Sequence, residues 1–103
     1  MKALIKNARI NKGLKTRELA QLLAIDQALV SKFESGTRKP TRDQVKQLAH
    51  FLDIPLEEIL PLWIKEKILY EIQDEEFASQ ALTLVQEEIA KYDSTEQFFI
   101  SNS

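Results

Sequence analysis

Thr16-Arg-Glu-Leu-Ala-Gln-Leu-Leu-Ala-Ile-Asp-Gln-Ala-Leu-Val-Ser-Lys-Phe-Glu-Ser-Gly36 is the stretch whose reading decides the fold. Leu19, Ala20, Leu22 and Leu23 recur at helical spacing, stop near Ala24, and resume as Val30 and Phe33 after Asp26. The spacing predicts a helix starting near Thr16, whose hydroxyl suits an unpaired first-turn amide. A second helix is predicted over 27–35, with Asp26 as its N-cap and Gly36 as its stop. Leu19, Ala20 and Leu23 then face Val30 and Phe33, Ile25 plugs the corner, and the small Ala20 lets the helices cross closely. Such a pair presents the second helix as a protruding rod, about as wide as a DNA major groove admits.

Working outward, Leu4, Ile5, Ala8 and Arg9 mark a preceding helix that Gly13 ends. Thr37-Arg38-Lys39-Pro40 reads as a basic loop. Thr41-x-x-Gln44 reads as a capping box for a fourth helix burying Val45, Leu48, Ala49 and Leu52. Ile54-Pro55 opens a short fifth helix, with Pro at its first position, that runs to about Leu60 and is broken by Pro61. Beyond it, Ile64, Ile68, Leu69 and Ile72 form one apolar stripe. Gln73-Asp74-Glu75 reads as a turn, with Asp74 capping the next helix. There Ala78, Leu82, Val85, Ile89 and Tyr92 recur at helical spacing, with Phe77, Ala81 and Leu84 beside them. The expected class is all-α: a five-helix bundle over 1–61, a two-helix extension over 62–92, and a polar tail over 93–103 that carries the apolar cluster Phe98-Phe99-Ile100.

Composition narrows the function. The 103-residue chain has a net charge of only −2, but residues 1–50 hold eleven Lys/Arg against four acids and residues 51–103 hold three against twelve. An asymmetry of this kind points to a polyanion at the first half and none at the second. There is no Cys, so disulfides and thiolate metal sites are excluded and a reducing cytoplasm is the expected location. His50 stands alone, which argues against a metal site. No signal peptide and no span of roughly 20 apolar residues is apparent, so no membrane partner is expected. No nucleophile–base pair, phosphate loop or carboxylate dyad is visible, which argues against an enzyme, and no cofactor is expected.

The chain resembles the lambda-repressor-like (Cro, or XRE) helix-turn-helix family from about Leu4 to Leu60. The resemblance rests on Ala8-Arg9, Lys12-Gly13-Leu14, Glu18-Leu19-Ala20, Leu23, Ile25, Val30-Ser31-Lys32-Phe33-Glu34-x-Gly36, Arg38-x-Pro40 and Leu48-Ala49-x-x-Leu52-x-Ile54-x-x-x-Glu58-Ile59-Leu60. Two positions depart from the family pattern. Ala24 stands where Gly is usual in the turn, at a strain of about 1 kcal/mol if the residue is left-handed. Thr16 stands where Gln is frequent, with a shorter reach to a phosphate.

The resemblance implies a five-helix bundle whose 27–35 helix enters the major groove of double-stranded DNA. Gln27, Ala28, Ser31 and Lys32 lie away from Val30 and Phe33 and are the expected base contacts. Gln27 suits adenine, Lys32 suits guanine, Ala28 suits a thymine methyl, and Ser31 suits a base or a phosphate. Thr16, Arg17, Thr37, Arg38, Lys39 and Arg42, at helix starts and in the basic loop, suit phosphates. Arg9 and Glu34 are expected to form a structural ion pair.

Small proteins of this type bind as dimers on half-sites about one DNA turn apart. Trp63, Ile68, Leu82, Val85 and Ile89 are the expected homodimer interface, with packing inside the monomer as the alternative. The expected function is a transcriptional repressor or autoregulator on a palindromic operator. The competing reading is an antitoxin or other interaction module whose C-terminal helices bind a partner protein.

Overall fold

The structure, a computed structural model, describes residues 1–94. These residues form six helices and no strand: α1 (Lys2–Asn11), α2 (Thr16–Leu23), α3 (Gln27–Ser35), α4 (Arg42–Leu52), α5 (Leu56–Ile72) and α6 (Ala78–Ser94). The Phe98-Phe99-Ile100 cluster and most of the expected tail lie outside the described residues. The chain divides into two compact units, Met1–Lys67 and Ile68–Ser103. No described helix is long and apolar enough to cross a membrane.

The first unit is built around one core. Ile5, Leu19, Leu23, Val30, Phe33, Val45, Leu48, Leu52, Ile54, Ile59 and Trp63 are buried, with Ala20 and Ala49 as the small residues among them. Helices α1 to α4 contribute residues that their apolar periods predict, although Leu22 of that pattern is exposed. Thr41 and Gln44 form the expected reciprocal cap. The Gln44 amide donates to Thr41 Oγ1 at 3.2 Å, and the Thr41 amide donates to Gln44 Oε1 at 2.9 Å.

Four helices of this unit end in the same way. A left-handed residue follows the last turn, and the next amide reaches back five residues: Leu14 to the Arg9 carbonyl at 3.1 Å, Ile25 to Ala20 at 3.0 Å, Thr37 to Lys32 at 3.0 Å, and Ile54 to Ala49 at 2.9 Å. The left-handed residues are Gly13 (φ 72°), Ala24 (φ 55°), Gly36 (φ 79°) and Asp53 (φ 55°). Only the first and third are the glycine this geometry favours. Asp tolerates the left-handed region better than most residues, whereas Ala24 bears the strain expected for a Cβ-bearing residue in the turn.

Local reading misses three features. Pro61 does not break a helix, because α5 runs through it from Leu56 to Ile72. An interior proline costs about 3 kcal/mol. Here its ring is exposed, while Ile59 and Trp63 on either side are buried in the core. Burying two such side chains returns about 1.5–3 kcal/mol each, so tertiary packing outweighs the local penalty. The first unit accordingly takes in Pro61–Lys67. Asp74 does not cap α6, which begins at Ala78 after a looser turn, with the Ala81 amide donating to the Phe77 carbonyl at 3.0 Å. Thr16 is the first helical residue of α2 and not its cap; the Lys15 amide there donates to Glu18 Oε1 at 2.8 Å.

The second unit holds the end of α5 and α6. Its described residues include no buried side chain, and Phe77, Leu84, Val85 and Ile89 are all exposed.

Candidate nucleic-acid interface

α3 is held to the first unit by Val30 and Phe33, both buried. With those positions turned inward, the helical period turns Gln27, Ala28, Ser31 and Lys32 outward, and all four are exposed. The acid of α3, Glu34, does not share that outer face. It accepts two bonds from Arg9, from Nε at 2.7 Å and from Nη2 at 3.0 Å, while Arg9 Nη1 donates to the Leu14 carbonyl at 2.7 Å. The side chains are 12% and 7% exposed. The expected structural pair is therefore present in its bidentate form, and it removes a negative charge from the outward surface of α3. Asp26 occupies the N-cap position but makes no side-chain cap bond.

Gln27 and Thr16 are brought together. Gln27 Nε2 donates to Thr16 Oγ1 at 3.0 Å, joining the first residue of α3 to the first residue of α2. The Thr16 hydroxyl thus serves Gln27 and not its own helix terminus. The bond leaves the Gln27 carbonyl oxygen and the second amide hydrogen for a ligand. Sequence spacing carries no signal for this bond. It follows only from the angle at which α2 and α3 cross.

The remaining expected phosphate contacts lie on α2, in the loop after α3 and on α4. Arg17 is exposed on the first turn of α2. Thr37, Arg38 and Lys39 lie in the loop after α3, which is drawn back onto the helix end because the Thr37 and Arg38 amides both donate to the Lys32 carbonyl, at 3.0 and 3.2 Å. The hydroxyls of Ser35 and Thr37 are 2.7 Å apart. Arg42 opens α4. Lys39 is held below its ordinary pKa by desolvation, a shift opposed by Glu66 and reinforced by Lys67.

Trp63 departs from expectation. Its ring is 6% exposed in the core of the first unit, and its indole N–H donates to the Pro40 carbonyl at 2.7 Å. Trp63 is therefore not a surface residue available to a dimer interface. A buried indole needs an acceptor for its N–H, and the loop carbonyl supplies one. Of the other four, Ile68, Val85 and Ile89 are exposed and Leu82 is half-buried. A second long-range pair was not legible either: Lys12 at the end of α1 meets Asp53 at the end of α4. The hydrogen bond from Lys12, then its charge, hold the Asp53 carboxyl below its ordinary pKa.

A short helix with its apolar side docked, its acid neutralised from within, and a polar and cationic surface outside is suited to the edges and phosphates of duplex DNA. A helix-turn-helix family model matches residues 5–59, more than half of the chain. No curated protein and no solved structure gives a match. The matched region takes in α1 to α4 and the start of α5, with the α2–turn–α3 pair at its centre, and the chain belongs to the Cro/C1-type, XRE-like helix-turn-helix family of DNA-binding regulators.

Proposed function

We propose that the protein is a transcriptional repressor or autoregulator that binds a palindromic operator as a dimer. The observation that carries this reading is the outward surface of α3: Gln27, Ala28, Ser31 and Lys32 are all exposed, while the helix's acid, Glu34, is paired with Arg9. In this reading α3 lies in the major groove and those four residues meet base edges. Thr16 steadies the Gln27 amide, which costs less ordering entropy when it pairs with adenine. Thr16, Arg17, Thr37, Arg38, Lys39 and Arg42 meet phosphates and set the register. Ile68, Leu82, Val85 and Ile89 supply apolar surface for a second copy.

Selection of bound sequences from random duplexes tests the reading, with a palindromic consensus as the expected result. On that consensus, Gln27→Ala relaxes preference at one base pair by about 1–3 kcal/mol. Arg38→Ala weakens binding to all sequences alike and makes the salt dependence shallower by about 0.9 in log–log slope. Identical behaviour of the two variants would refute the division of roles. Light scattering reads the dimer directly, and a monomer at high concentration removes it. The exposed Phe77 and Leu84 also support a second reading, in which these helices bind a partner protein; co-purification of a stoichiometric partner would favour it.

A further inference from the structure

Three cations converge on a single buried aromatic ring. Lys39 Nζ, Lys67 Nζ and the Arg42 guanidinium carbon each lie 5.0 Å from the Trp63 ring centroid. Groups at that distance from one centroid lie within about 10 Å of each other, roughly one Debye length, so an approaching anion meets their charges together. Lys39 and Arg42 flank Pro40 and Thr41 in the chain, and Lys67 stands one helical turn beyond Trp63 on α5. The ring is fixed by burial and by its bond to the Pro40 carbonyl, so it is a rigid support for all three side chains. A cation over an aromatic face is held by the ring's quadrupole while its outer side stays available. Beside this cluster a cleft of about 270 Å³ is lined by Lys2, Arg38 and Lys39, with Glu66 as the opposing acid.

We propose that Lys67 contacts the DNA phosphate backbone together with Lys39 and Arg42, and that Trp63 positions the three as one cationic cluster. The proposal rests on the DNA-binding reading above and extends it, because Trp63 and Lys67 lie beyond the matched residues 5–59. It makes α5 part of the DNA-facing surface. It also gives Trp63 a purpose that packing alone does not: three like charges brought this close repel one another, and a phosphate relieves the repulsion.

The test is the salt dependence of affinity for one duplex, measured on the full chain, on Lys67→Gln and on Lys65→Gln. Lys67→Gln is expected to flatten the log–log slope by about 0.9 with sequence preference unchanged. Lys65→Gln, a neighbour on the same helix outside the cluster, is expected to keep the parent slope. An unchanged slope in Lys67→Gln, or an equal loss in both variants, overturns the proposal. A parent protein that binds no duplex refutes the DNA-binding reading instead, so the two failures are distinguishable. Trp63→Phe, which retains all three charges, is expected to keep the slope and lower affinity roughly two- to fivefold. Lys67→Gln should then cost less in that background than in the parent. Effects that multiply independently would deny Trp63 its positioning role, and the Lys67→Gln slope decides the phosphate contact even if Trp63→Phe does not fold.

Discussion

Apolar residues recur at helical spacing on both sides of Lys67, yet their fates are opposite. Between Met1 and Lys67, thirteen apolar side chains are 6% exposed or less. Among the described residues beyond it none is buried, and Val85, in the helical-period stripe of α6, is 49% exposed, with Leu84 beside it at 63%. The contrast teaches that a helical period defines a stripe but not what covers it. In the first unit the stripes of α1 to α5 converge on one another. In the second, the described stripe residues are exposed or half-buried, which is why the dimer and the protein-partner readings both attach there.

The sharpest way to break this contrast is to empty one position on each side. Phe33→Ala should cost about 3–5 kcal/mol, a large part of the stability of a domain this size. Urea denaturation followed by circular dichroism reads the loss, and a cost below about 1 kcal/mol would mean that the core is not continuous. Arg9→Ala strands Glu34 in a site only 7% exposed and should cost about 3 kcal/mol. Replacing both residues with Leu should recover most of that loss in the same assay, since the penalty belongs to the unpaired charge.

Ala24→Gly works in the other direction. Relief of the left-handed backbone should stabilise the first unit by about 1 kcal/mol, visible as a higher melting temperature. Asp53→Gly should gain less, because it also removes the partner of Lys12. That pair has a pH signature. The Asp53 carboxyl is lowered by Lys12, so its contribution is present above the unfolded value near 3.9 and is lost as pH falls through the lower folded value. The stability gap between the parent and Lys12→Met should close on acidification below about pH 4. The smallest expected effect is Leu84→Ala, within about 0.5 kcal/mol at a concentration where the protein is monomeric. A larger loss would show that the second unit's stripe is covered after all.

Most of the first unit was legible because its signals are local and redundant. Val30 and Phe33 at one-turn spacing determine which face of α3 is left outside. Thr41 and Gln44 satisfy each other's backbone across three residues. Arg9 and Glu34, distant in the chain, were legible as a pair only through the family resemblance, which implies an acid partner for Arg9. Pro61 shows where this kind of reasoning stops: the rule that proline ends a helix is a statement about one missing hydrogen bond, and burial of Ile59 and Trp63 outweighs it. The Thr16–Gln27 bond, the Lys12–Asp53 pair and the ring of cations around Trp63 had no sequence signal. Each joins side chains from different elements, and each depends on a crossing angle or a loop path.

What the residues determined alone is the helices α1 to α4 and the inward face of each, because period, cap and stop act over one or two turns. Tertiary structure decided which groups share a site: whether a hydroxyl serves a helix end or a glutamine, and whether an indole is surface or support. Those choices follow from distances of a few ångströms between segments far apart in the chain. Hydrogen bonds and cation–π contacts operate only at that range, and only the packed core brings the segments to it.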